Sequence, residues 1–253
     1  MKTIVLVLAV LLAQSIDAAA QANPSQPLTA EGVWARHMAA IGGEAALRAI
    51  RDRYMVMTMS MSMSKSPGAE TRSESFVRSP NKVYSRTTMP GIGLMESGYD
   101  GTTAWSMSEA TGPVIIPEPQ AAQLRNGANL NQSFQEGGAM TLRAPKQLEG
   151  RTVHVIDVVT PDSTKMTEYF DAESGLLVGM DVPSAAVIEG RAAISFRDYR
   201  RFGNVMVATV ITHRLKTGDS LVTRIEHLDH RPIPDSVFAL PKAVQVLTRR
   251  SPR

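Results

Sequence analysis

The segment 54–64 repeats its side-chain type every two residues. Five methionines alternate there with one valine and four hydroxyl-bearing residues: Met55, Met57, Met59, Met61 and Met63 with Val56, Thr58, Ser60, Ser62 and Ser64. Successive side chains of a β-strand point to opposite faces, so a two-residue repeat predicts a strand. One face of this strand carries methionine and the other carries mostly hydroxyl groups.

The remainder of the chain predicts a mainly β protein with a few helices. Thr29 can cap a helix that continues to Ile41, and a second short helix is predicted over 44–51. Segments typical of strands, separated by Pro, Gly or Asn, are 71–79, 81–89, 93–99, 102–108, 151–159, 164–170, 176–182, 191–199, 204–215 and 220–229. About eleven closely spaced strands favour an antiparallel sheet curled toward a barrel. The segment 109–150 is predicted to be a loop and helix insertion.

The N-terminus has the features of a cleaved secretory signal. Lys2 precedes the short apolar stretch Ile4–Ala13, and the run Ala18–Ala20 follows it. We therefore expect a signal peptide over 1–20, a flexible lead-in over 21–28, one domain over 29–248, a basic tail over 249–253, and a periplasmic location. The chain contains no cysteine, which excludes disulfides and predicts that it is not lipidated.

Charge and motifs argue against several classes of function. There are 27 Lys and Arg against 24 Asp and Glu, and Arg249, Arg250 and Arg253 account for the excess. A neutral body is not typical of a nucleic-acid surface. No nucleophile motif is present, so we predict that the protein is not an enzyme and needs no cofactor. His227 and His230 would point to opposite faces of a strand, which makes them a poor metal chelate.

The methionine face allows three interpretations. Thioethers are soft ligands, so the strand Met55–Met63 could bind Cu(I). Methionine is also flexible and polarizable, which suits a surface that repacks around lipid chains or apolar peptides. The third interpretation is an ordinary sheet face packed on the N-terminal helix. The spacing alone leaves all three open.

Several motifs, taken in order, resemble a known family. They are Phe76–Tyr84 (FVRSPNKVY), Tyr99–Trp105 (YDGTTAW), Tyr169–Leu176 (YFDAESGL), Pro232–Phe238 (PIPDSVF) and Ile41–Leu47 (IGGEAAL). This order is similar to that of the periplasmic carriers that sort lipoproteins to the bacterial outer membrane, the LolA/LolB-like superfamily and its uncharacterised exported relatives. The resemblance spans most of residues 30–241. Ser79 separates Arg78 from Pro80, and Thr102 replaces a lysine of the family motif.

The resemblance implies an incomplete barrel with helices on its concave side and an apolar cavity for acyl chains. The chain would then be a non-enzymatic carrier or chaperone for lipid or lipoprotein, with an inner-membrane transporter or an outer-membrane receptor as partner. Arg78 would stand where the carriers keep an arginine that holds the lid closed, although it could instead pair with Glu74 on the same strand face. The other lining candidates, chosen by strand parity and position, are Met57, Met59, Met61, Phe76, Trp105 and Met107. The alternative is an envelope interaction protein with a filled core.

Overall fold

The computed structural model describes residues 27–63, 66–118, 120–128, 130, 138–161, 163–184, 190–215 and 218–250. Its helices are α1 (Ala30–Ala40), α2 (Glu44–Arg48), α3 (Gln120–Gly127), a 3₁₀ helix (Asp235–Phe238) and α4 (Lys242–Arg250). Its strands are β1 (Asp52–Met63), β2 (Ser66–Arg78), β3 (Lys82–Met89), β4 (Gly93–Tyr99), β5 (Ala104–Ser108), β6 (Gly112–Ile115), β7 (Ala139–Leu148), β8 (Arg151–Val159), β9 (Lys165–Asp171), β10 (Leu177–Ser184), β11 (Gly190–Phe202), β12 (Val205–Leu215) and β13 (Ser220–Asp229).

The strands form one antiparallel sheet in the order β6-β5-β4-β3-β2-β1-β13-β12-β11-β10-β9-β8-β7. Two meanders, β1–β6 and β7–β13, are joined where β1 pairs with β13, for example at Met59 opposite Thr223. The sheet is curled and not closed, so it is an open half-barrel. The predicted fold class is therefore confirmed.

The prediction for 109–150 is wrong in part: its helix is present as α3, but the segment also contributes β6 and β7 on either side of that helix. Both strands contain proline, Pro113 in β6 and Pro145 in β7, and proline normally argues against a strand. However, β6 and β7 are the two edges of the sheet. An edge strand tolerates the missing N–H group because one side of it has no ladder to complete.

Helices α1 and α3 pack on the same face of the sheet, which we call the helix face. Under α1, Ala30 and Val33 pack against Ile156 of β8 and Phe170 of β9. Under α3, Ala121 packs with Tyr99 of β4 and Ala104 of β5. The strand registers place all four strand residues on one side of the sheet. We call the other side the opposite face.

Local sequence fixes the position of α1. The Thr29 side chain accepts a hydrogen bond from the Gly32 amide at 3.1 Å, so the predicted N-cap is confirmed. At the other end, Gly42 has a φ of +123°, and a Cβ atom there would lie 2.3 Å from the Asn204 carbonyl oxygen. Only glycine permits this approach of the α1–α2 connection to the β11–β12 turn.

The chain ends in α4, a helix that the sequence analysis did not predict. It continues through Arg250, so Arg249 and Arg250 belong to a helix and only 251–253 of the predicted tail lie outside the described residues. Val244 is fully buried. The signal peptide and most of the lead-in also lie outside the described residues.

Candidate functional site

An apolar strip crosses the centre of the helix face. Eight side chains from β1, β13, β12, β11 and β10 share this face and form the strip: Met57, Met59, Met61, Leu221, Ile211, Ile194, Phe196 and Met180. Opposed pairs such as Met59 with Thr223 and Met61 with Leu221 set their register. The methionine face predicted for β1 is therefore part of a larger apolar surface, to which it contributes Met57, Met59 and Met61.

The strip lies between the two helices of this face. Helix α1 covers β7–β9, and α3 covers β3–β5. Met61 is 48% exposed, and the other members of the strip are half-buried. Thr223 and His213 lie on the same face between the members of the strip. Half-exposed apolar surface between two helices can receive an apolar ligand, because burying it releases water from both partners.

Hydroxyl groups replace apolar groups on the helix face of the neighbouring strands. Met55 is opposite Ser75, and the same row continues through Ser85, Ser97 and Ser106 in β3, β4 and β5. The hydroxyls of Ser85 and Ser97 are 2.9 Å apart, and those of Ser73 and Thr87 are 3.0 Å apart. We call this set the hydroxyl rows. The helix face therefore changes from apolar to polar at the β1–β2 pair.

One carboxyl group lies in line with the strip. Glu168 of β9 is opposite Met180 on one side and Ile156 on the other. It is 9% exposed, and burial raises its pKa to about 7. No hydrogen bond or ion pair reaches it from the described residues. The sequence analysis missed Glu168, although its place between Met166 and Phe170 in an alternating strand was a usable signal.

The structure divides the predicted lining residues between the two faces. Met57, Met59 and Met61 belong to the strip. Phe76, Arg78, Trp105 and Met107 lie on the opposite face, since Phe76 pairs with Tyr54, which alternates with the methionines of β1. The seven residues therefore do not form one site. The sheet separates the four opposite-face residues from a ligand that lies on the strip.

On the opposite face, four of these strands carry a row of aromatic rings. Tyr54, Phe76, Tyr84 and Trp105 have successive centroid distances of 4.7, 5.7 and 6.2 Å. Gly98 of β4 leaves room for Trp105, because a Cβ there would lie 2.9 Å from the indole nitrogen. Trp105 is 2% exposed, so the ring row is packed core at its β5 end.

Arg78 holds the C-terminal segment against the sheet. Its Nε donates to Asp52 Oδ1 at 2.8 Å, and it also bonds the Asp235 carboxylate and the Ile233 carbonyl. Its guanidinium carbon lies 5.5 Å from the Phe238 ring centroid. Burial by itself would raise the pKa of Asp52, but the hydrogen bonds from Arg78 and the Ile233 amide outweigh it and hold that pKa below its ordinary value.

The alternative pairing of Arg78 with Glu74 is not the arrangement in the structure. Glu74 accepts hydrogen bonds from Arg72 at 3.1 Å, Arg86 at 2.8 Å and Tyr54 at 3.3 Å. These four residues form a separate polar group on the opposite face. Arg78 thus contacts the segment 233–238, whereas the resemblance implied an arginine that holds a lid closed.

The two histidines of the His-x-x-His pair have different partners. His227 Nε2 lies 3.0 Å from Asp229 Oδ2, and His230 Nδ1 lies 3.2 Å from the Asp52 carbonyl oxygen. Hydrogen bonds from Arg231 and then from His227 lower the pKa of Asp229 to about 2. Within the described residues, no group of three or more His, Cys, Asp and Glu side chains could hold a metal ion.

A cavity of about 410 Å³ opens on the opposite face of the C-terminal meander. Its charged lining groups bond to one another or to aromatic groups: Arg197 to Glu149 at 2.7 Å, and Asp181 to the Tyr169 hydroxyl at 2.6 Å. Lys146 lies 3.8 Å from the centroid of the same tyrosine ring. Arg151, Asp198 and Arg214 also line this cavity, so it is a charged pocket and differs in character from the apolar strip.

In the described part of the chain, no helix has the length and apolar character needed to cross a membrane. No family model matches the sequence, and no curated protein matches it. The comparison with solved structures identifies proteins that share the fold.

Three solved structures share the fold over nearly their whole length. A LolA superfamily protein from Nitrosomonas europaea has a TM-score of 0.59 at 14% identity, covering 85% of this chain and 99% of its own. A DUF1329 family protein from Desulfovibrio piger has 0.60 at 9%, with coverage of 83% and 97%. A domain from Vibrio parahaemolyticus, named for outer membrane lipoprotein sorting, has 0.52 at 11%, with coverage of 81% and 94%. The chain therefore has the fold of the LolA superfamily, as the order of its motifs indicated.

Proposed function

We propose that this protein is a non-enzymatic periplasmic carrier that binds the acyl chains of lipid or lipoprotein on the apolar strip. The observation that supports this most directly is the half-exposed strip lying between α1 and α3. The likeness in fold to a domain named for outer membrane lipoprotein sorting supports it as well.

The physical chemistry of the strip suits a carrier. Each methylene group buried on it contributes about 0.8 kcal/mol, so affinity needs no catalytic group. Four of the eight strip residues are methionines: Met57, Met59 and Met61 on β1, and Met180 on β10. Methionine repacks without leaving a fixed void, which allows chains of different length to bind and leave.

A carrier in the periplasm requires a source and a destination for its cargo. We propose an inner-membrane transporter or an outer-membrane receptor in these roles. The signal peptide predicted over 1–20 would deliver the chain to that compartment.

Native mass spectrometry of protein purified from a periplasm tests this function, followed by extraction and identification of any lipid that co-purifies. Met59→Trp places an indole on the strip and should abolish the bound mass. Met107→Trp is the matched control, because Met107 is also half-buried but lies on the opposite face. We expect it to keep the bound mass.

The same measurement distinguishes the other interpretations of the sequence. A protein that stays apo when phospholipid is offered would contradict the carrier and favour an interaction protein with a filled core. A mass increase equal to copper, abolished by Met→Leu changes at 55, 57, 59 and 61, would favour the Cu(I) interpretation. Acyl-chain binding should survive those Met→Leu changes, because they conserve apolar volume.

A further inference from the structure

Glu168 stands at the end of a continuous row across the helix face. Starting from Met61, directly opposed residues in successive strands form this row: Leu221, His213, Ile194, Met180 and Glu168. Neighbouring strands are about 4.8 Å apart, so the row measures roughly 24 Å along the sheet. An apolar chain lying on the strip along this row would bring its polar end to Glu168.

The four nearest neighbours of Glu168 on the helix face are apolar, and His154 lies diagonally across from it on β8. Ile156 and Met180 lie opposite it, and Met166 and Phe170 precede and follow it on the same face of β9. Only 9% of the residue is exposed, and within the described residues it has no hydrogen-bond or ion-pair partner. A mostly buried carboxyl without a partner loses much of its hydration, and a donor arriving with a ligand would compensate for that loss.

We propose that Glu168 binds the polar end of an amphipathic ligand that carries a hydrogen-bond donor, an ammonium, hydroxyl or amide N–H group, next to its apolar chain. This inference rests on the proposed function, because the chain of the ligand occupies the strip. An ionised carboxylate only accepts hydrogen bonds, so it selects donors and repels a second carboxylate. Free fatty acids are therefore poor ligands, and long-chain amines, alcohols and amides with an N–H group are good ones.

Three probes with the same chain and different polar ends test this selectivity: decylammonium, decanol and decanoate. Isothermal titration calorimetry at pH 8 should show that the purified protein binds decylammonium at least tenfold more tightly than decanoate, with decanol between them. Glu168→Leu should lower decylammonium affinity about tenfold and raise that of decanoate. Glu149→Gln, which removes one negative charge from an exposed residue paired with Arg197, should leave all three affinities unchanged.

The outcomes separate this inference from the function on which it rests. Equal affinities for the three probes, or an ammonium preference that survives Glu168→Leu, would overturn the role of Glu168 while leaving acyl-chain binding intact. Failure of all three probes to bind would overturn both. A preference lost in Glu168→Leu and kept in Glu149→Gln supports the assignment.

Discussion

The helix face is mostly apolar across β8–β13, whereas across β2–β5 it carries the hydroxyl rows beside the apolar residues under α3, although both halves are built from strands with the same two-residue repeat. On the apolar side, Phe170 and Ile156 are fully buried under α1. On the hydroxyl side, Ser85 and Ser97 bond each other and remain half-exposed. The fully buried apolar side chains of β8 and β9 lie under α1, whereas paired hydroxyls can face water. The difference explains why one half carries a large buried cluster and the other needs only the short α3.

The largest expected effect comes from opening the apolar half. Phe170→Ala removes a side chain with no exposed surface beneath α1 and should lower the free energy of unfolding by about 4 kcal/mol. Val83→Ala, a smaller truncation under α3, should cost about 1.5 kcal/mol. Urea unfolding of both variants measures the difference. Equal losses would contradict the view that the apolar half dominates stability.

The pH dependence of stability should reveal Glu168 within the apolar half. Its pKa in the folded protein, about 7, lies above the ordinary value of 4.5, so between these two values the folded state holds a proton that the unfolded chain has released. The free energy of unfolding should therefore fall by about 3 kcal/mol as pH rises from 4.5 through 7. Glu168→Gln should remove this fall, which unfolding curves at pH 4, 6 and 8 can measure. An unchanged slope in the variant would show that another group is responsible.

A smaller loss of stability is expected from removing Arg78, which holds the segment 233–238 to the sheet by charged hydrogen bonds. Arg78→Ala leaves Asp52 without its main partner and should cost about 2 kcal/mol, reduced because the Arg78 side chain is 27% exposed. Arg72→Ala, an exposed arginine on the same strand, should cost under about 0.5 kcal/mol. Limited proteolysis should also cleave 233–250 faster in Arg78→Ala. Equal rates of cleavage of 233–250 in both variants would contradict the role of Arg78 in holding this segment.

The smallest loss of stability is expected from a substitution in the hydroxyl rows. Ser85→Ala removes one partner of a half-exposed hydroxyl pair and should cost only about 0.5 kcal/mol, because water can replace the bond. Thermal unfolding beside Ser106→Ala, in the same row, should give similar small shifts. A loss above about 2 kcal/mol would mean that the hydroxyl rows are structural core.

The sequence predicted the strands well, but it did not predict how they align. The methionine face of β1 followed from its alternation, and helices α1 and α2 followed from their periodicity. Placing Phe76 and Trp105 beside the methionines failed because parity within a strand does not reveal its register against the next one. A shift of one residue between β1 and β2 exchanges the two faces. Strands β6 and β7 were missed because their prolines argue against a central strand, whereas an edge strand tolerates proline.

The pairing of β1 with β13 has a consequence for folding. Each meander contains only contacts between strands adjacent in sequence, and these form early because the loops to be closed are short. The β1–β13 ladder instead joins residues such as Tyr54 and Asp229 from the two ends of the chain. We therefore expect this ladder to form last and to limit the folding rate. Since the apolar strip spans that ladder, the strip is complete only after β13 has paired with β1.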